Sequence, residues 1–144
     1  MIEKDTVRLL RECDAGIKMG VASIDEVLDN VSDEKFKKYL MNCKEEHIKL
    51  ENEVELSLDR YQDEGKEAGI MAKTMSWMKT NARLVMDESD HTIADIMIDG
   101  CHMGIKSLNR YLNQYEAADE DSKEIAKKLI HIEEELASEM FQYL

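Results

Sequence analysis

Proline is missing altogether from this chain of 144 residues, so no helix in it has to tolerate a lost N–H or a ring clash. Aromatic residues are scarce at 6%, with a single tryptophan, and glycine occurs only six times. Few β-branched runs and no Asn-Gly or Asp-Gly turn set between alternating strands leave little from which to build a sheet. No apolar run approaches the ~18–20 residues of a membrane span. No charged-then-apolar signal opens the chain either, so the expectation is a cytoplasmic protein. Basic residues are outnumbered: 19 Lys and Arg against 32 Asp and Glu give a net charge of −13. That balance argues against nucleic acid and against anionic membrane surfaces as partners, because cationic patches hold both. The three cysteines, Cys13, Cys43 and Cys101, lack zinc-type spacing and read as small apolar residues of a reduced core.

What the chain does have is helical periodicity. Apolar residues make up 43% and charged residues 35%, a balance that suits one helical domain burying roughly 68–70% of its unfolded surface. A hexapeptide occurs twice. Cys13-Asp14-Ala15-Gly16-Ile17-Lys18 returns as Cys101-His102-Met103-Gly104-Ile105-Lys106, with four of six positions matching. Each copy lies inside a long helical stretch, which predicts a duplicated helical hairpin and an all-α four-helix bundle.

Taken in order, helix 1 is expected over residues 6–30, with Asp5 as N-cap and Val7, Leu10, Ile17, Val21, Ile24, Leu28 and Val31 as its apolar seam. Asp14 falls on that seam. Helix 2 is expected over 33–62, capped by Ser32, with Phe36, Leu40, Cys43, His47, Leu50, Val54 and Leu58 inward. The short turn makes the two helices antiparallel neighbours. Reflection about residue 32 sets Ile17 opposite His47 and Asp14 opposite Leu50. Residues 68–86 repeat Met71, Met75, Met78, Ala82 and Val85 at helical spacing beside Ile70, Trp77 and Leu84. They predict a crossover helix running the length of the bundle, so that helices 2 and 3 are parallel. Helix 3 follows over 90–115. Helix 4, capped by Ser122, follows over 122–143 with Ile125, Leu129, Ile132, Leu136, Met140 and Tyr143 inward.

The repeat of Cys13 to Gly16 in Cys101 to Gly104, together with Trp77 in the crossover, resembles the ferritin-like superfamily. Closer still, it is similar to an uncharacterised bacterial branch carrying Cys-x-x-Gly-Glu on helices 1 and 3. The resemblance implies two helical hairpins joined by a long, largely helical crossover. Di-iron proteins of this superfamily draw carboxylates from helices 1 and 3 and Glu-x-x-His from helices 2 and 4. Here Ile17 and Ile105 replace the motif's glutamate, and Lys44 stands three before His47. Four inward carboxylates and two inward histidines cannot be assembled.

Asp14 and His47, with Glu51 one turn on, are the ionisable cluster that falls on buried seams. As ligands they would offer imidazole and two carboxylates to a single Fe, Mn or Zn ion; as core residues they form a hydrogen-bonded pair that fixes register. His91, His102 and His131 read as surface residues. The glycine pairs Gly16/Gly20 and Gly100/Gly104 cost about 1 kcal/mol per helix-interior glycine relative to alanine. Close approach of helices 1 and 3 would account for them, and so would a slot for a small ligand. The expected function is a non-catalytic structural or interaction bundle without a cofactor, dimeric through the apolar face of the crossover. The alternative is a metal-binding ferritin-like protein with an oxidoreductase or storage role. A third reading is a binder of a small apolar ligand beside the glycines.

Overall fold

The computed structural model describes residues 2–61 and 89–144. Four long helices account for nearly all of them: α1 (Ile2–Leu28), α2 (Glu34–Arg60), α3 (Asp90–Gln114) and α4 (Glu120–Met140). A 3-10 turn, Phe141–Tyr143, follows. No strand occurs among the described residues, and no helix among them is long and apolar enough to cross a membrane. The expected crossover helix over 68–86, its methionines, Trp77 and the dimer face proposed for it lie outside the described residues.

The helix starts differ from expectation in an instructive way. Asp33, not Ser32, caps α2 and accepts the N–H of Phe36, while Asp119, not Ser122, caps α4 and accepts the N–H of Ser122. At both sites the carboxylate is the stronger, charge-assisted acceptor and also complements the helix dipole. Asp5 lies inside α1 and instead accepts the N–H of Ala117 at 3.2 Å.

Contacts at the two ends of the bundle fix the helix directions. At one end Thr6 Oγ1 accepts the Asp119 N–H at 2.8 Å, so α1 starts beside the α3–α4 turn. At the other, the Asp90 carboxylate accepts the N–H groups of Ser32 and Asp33, both at 2.8 Å. Helices α1 and α3 are therefore antiparallel. The Tyr61 hydroxyl donates to Asp119 at 3.5 Å. Thus α2 ends where α1 begins, α3 begins at the opposite end, and α2 and α3 point the same way.

Two apolar clusters fill the interior. One gathers Ile24, Phe36, Leu40, Ile93, Met97 and Met140, and the other Leu9, Leu10, Ile17, Leu50, Leu108 and Leu129. Phe36 is fully buried and stacks on Tyr143 at 4.4 Å between centroids, a contact that contributes ~0.5–1.5 kcal/mol beyond its area. Between the clusters, at one level of the bundle, lie Gly20, His47, Gly104 and Glu133. The apolar core is thus divided by a thin layer that carries charge.

Candidate functional site

His47 enters this layer because the α2 seam repeats every three or four residues, and the seam residues from Phe36 to Leu58 are all buried as expected. Its side chain is 1% exposed. The ring N–H at Nδ1 donates to the Cys43 carbonyl one turn back at 2.8 Å, with the Cys43 sulfur at 3.5 Å. Across the bundle Nε2 donates to Glu133 Oε1 at 3.2 Å. The Cys43 carbonyl only accepts, so Nδ1 carries a proton, and with a second proton on Nε2 facing the Glu133 carboxylate the two form a buried ion pair. Burial pushes the His47 pKa down. The hydrogen bonds to Cys43 and Glu133 outweigh it and raise the value from 6.5 to about 10.

Glu133 also faces Cys101. Burial, then the charge of Glu133 and a hydrogen bond to it, push the Cys101 thiol well above its usual range. Cys43 is raised by burial despite the opposing effect of His47, and burial lifts Cys13 to about 12. The three buried cysteines are free thiols, and at neutral pH they stay protonated and unreactive.

The layer forms the base of a cleft. This cavity of about 470 Å³ lies between α1 and α3, with Leu129 and Glu133 of α4 at its floor. Its α1 wall extends from Glu12 to Ile24 and its α3 wall from Met97 to Tyr111, a length of roughly 18–21 Å at 1.5 Å per residue. All four glycines of the two pairs line it. They were expected to bring the two backbones into contact, and the structure corrects this. A Cβ on Gly16 would meet Leu129 at 3.4 Å, one on Gly20 would lie 2.7 Å from His47 Nε2, and one on Gly104 would lie 3.8 Å from Glu133. None would meet the opposite glycines. They leave space above the floor instead of a tight helix crossing.

Asp14 and Glu51 occupy a separate site on the α1–α2 face. The structure brings these two together around Lys18, whose Nζ lies 2.9 Å from Asp14 Oδ2 and 3.9 Å from Glu51 Oε1. Both Glu51 oxygens are shut from water with no donor in hydrogen-bond geometry. A proton shared between Glu51 and the neighbouring Asp14 carboxylate lets the two bond. Burial, that bond and the Asp14 charge raise Glu51 from 4.5 to about 8, against the opposing pull of Lys18. His47, buried like Asp14, turns its nitrogens elsewhere. Opposite it on α1 stands Gly20 rather than Ile17, three residues further along the helix than the reflection about residue 32 predicts. Among the described residues, no group of three or more His, Cys, Asp and Glu side chains could hold a metal ion. The described residues do not fit a ferritin-type two-metal centre.

Glu133 is the member that sequence reasoning missed. The spacing Leu129, Glu133, Leu136, Met140 is as regular as the expected one through Ile132, and the structure buries Glu133 while leaving Ile132 half-buried. An acid on an otherwise apolar stripe, with a lone histidine on another, was the available signal. His91, His102 and His131 are exposed, as read from the sequence. No family model matches the chain, and comparison with curated proteins and with solved structures finds no significant similarity.

Proposed function

We propose that the chain is a non-catalytic binding bundle that holds a small, elongated, largely apolar molecule in the cleft between α1 and α3. The cleft carries the reading. Its size suits small-molecule binding, its walls are mostly apolar, and His47 and Glu133 stand at its base. The glycines give it the meaning that helix packing does not, since they keep the floor open at a cost in helix propensity. No group there is poised for chemistry. Cys43 and Cys101 are held as thiols, and both nitrogens of His47 are committed to Cys43 and Glu133.

The same proposal includes a ferritin-like architecture, supported by the shared direction of α2 and α3. It includes no resident metal, because Ile17 and Ile105 stand where carboxylates would be needed and Asp14 and Glu51 are engaged with Lys18. Elemental analysis of protein purified without chelators separates this from the metal-binding alternative. Near-stoichiometric iron, manganese or zinc would overturn it. Sedimentation of the purified chain tests the expected homodimer.

The binding reading is tested by titrating a neutral apolar dye, N-phenyl-naphthylamine, into the protein. Saturable one-to-one binding is expected, and Gly104→Phe, which places a ring in the cleft, should abolish it while the variant still melts cooperatively. Equal binding by wild type and variant would place the dye elsewhere and defeat the proposal.

A further inference from the structure

We infer that the outer face of α2 docks a second copy of this chain, the two α2 helices lying antiparallel about a twofold axis between positions 48 and 49. Six large apolar side chains are exposed among the described residues, and three of them, Met41 (49%), Ile48 (44%) and Leu56 (65%), belong to this helix. They fall on one ridge over residues 38–59 that advances three or four residues at a time on the side opposite the buried seam. Apolar residues at that spacing on a second face suit a second helix. Among the described helices α2 packs extensively on α1 and α4 alone, and the ridge is turned away from both.

The ridge is complementary to itself in that one orientation. With the axis at its centre, Lys38 faces Asp59 of the partner subunit, Met41 faces Leu56 of the partner subunit, and Glu45 faces Asn52 of the partner subunit. Ile48 meets the aliphatic stem of Lys49 of the partner subunit. Parallel helices would instead set each charged residue against its own copy. Lys38 and Lys49 balance Glu45 and Asp59, so the ridge is neutral on a chain of net charge −13; most of the surface repels a second copy and this strip does not. None of the four enters an ion pair among the described residues, although Glu45 and Lys49 stand one turn apart. Their charges are left for a partner. One helix per subunit, in contact over roughly 32 Å, makes an interface under ~1,200 Å², the class of weak, reversible dimers.

The test is disulfide trapping together with sedimentation equilibrium. Trapping is clean because Cys13, Cys43 and Cys101 are buried. Ile48→Cys stands beside the axis, which brings two thiols within disulfide reach; Glu46→Cys is exposed on the same helix but off the ridge. Mild oxidation should convert Ile48→Cys to a covalent dimer and leave Glu46→Cys monomeric. Sedimentation of wild type over a concentration series should show a monomer–dimer equilibrium. Lys38→Glu sets a carboxylate opposite Asp59 of the partner subunit twice in each dimer and should weaken association about tenfold, and adding Asp59→Lys should restore it. Every substituted position is exposed, so thermal melts should match wild type. A wild type that stays monomeric, Ile48→Cys cross-linking no better than Glu46→Cys, or a double variant as weak as Lys38→Glu would overturn the inference. A dimer unchanged by Lys38→Glu would be held by another face and would overturn it as well. None of these positions lines the cleft, so the dye titration succeeds or fails separately.

Discussion

Replacing Gly20 and Gly104 with alanine separately should give opposite results, although both are glycines inside long helices lining the same cleft. A Cβ at position 20 would stand 2.7 Å from His47 Nε2 and 3.0 Å from Cδ2. Relieving that contact requires the ring to retreat by about 0.7 Å, yet the ring is held from both nitrogens. Moving it strains the 3.2 Å bond to Glu133, and breaking a buried charge pair outright costs ~3–5 kcal/mol. Overpacking of this kind costs ~1–3 kcal/mol, and the helix-propensity gain of alanine returns only ~1 kcal/mol. The overpacking cost less that gain is a net loss of up to about 2 kcal/mol, or up to roughly 8 °C in Tm for a chain of this size. At position 104 the nearest atoms lie at 3.8 Å, which is ordinary contact. There the propensity gain should survive, raising Tm by up to about 4 °C. Thermal melts followed by circular dichroism decide it. If Gly20→Ala is as stable as wild type, or Gly104→Ala falls with it, the charged layer is not seated as described.

Other consequences follow from the same contacts. Glu51 is raised in the folded state, so its contribution is full below pH 4.5 and is lost as pH rises toward about 8; discounted for partial exposure, the loss is ~2–3 kcal/mol. Glu51→Gln should flatten that part of the stability profile in urea titrations, and an unchanged slope would refute the buried carboxyl pair. His47 is raised as well, so its stabilisation holds below pH 6.5 and fades as pH passes about 10. Glu133→Ala should accordingly cost ~3–5 kcal/mol at pH 7 and much less above pH 10. The native protein should react slowly with a thiol reagent at pH 8 at Cys13, Cys43 and Cys101, and all three should react in denaturant. Fast native labelling of any of them would contradict their burial. Asp33→Ala should lower stability by ~1 kcal/mol or more and Ser32→Ala by little, as chemical denaturation would show, because Asp33 caps α2 and also accepts from Tyr143.

How much of this was legible in the sequence varied from helix to helix, for a physical reason. Helix α2 touches only α1 and α4 extensively among the described helices, so a narrow stripe is buried and its three-four spacing reads directly. Helix α1 packs against α2, α3 and α4. Its buried arc is therefore wider, taking in Leu9, Cys13 and Val27, while the expected Val7 and Val21 are only half-buried. Asp14 and His47 were found because polar residues stood on otherwise apolar seams. Their true partners were not, because partnership depends on rotation and axial offset between helices. A shift of three residues, about 4.5 Å, is enough to give Asp14 to Glu51 and His47 to Glu133. The glycine pairs were visible from the start, but spacing alone does not distinguish a tight crossing from an open cleft. Only the distance from each absent Cβ to its nearest neighbour does.

Methyl NMR of ¹³C-methionine-labelled protein, titrated with N-phenyl-naphthylamine, reads the cleft most directly. Met19, Met97 and Met103 line it, whereas Met41 lies exposed on α2 and Met140 is buried near the C-terminus. Binding as described shifts the first three methyl signals together, saturating at one equivalent, and leaves Met41 and Met140 in place. Shifts confined to Met41, or no saturable shift at Met19, Met97 and Met103, would contradict a ligand held between α1 and α3.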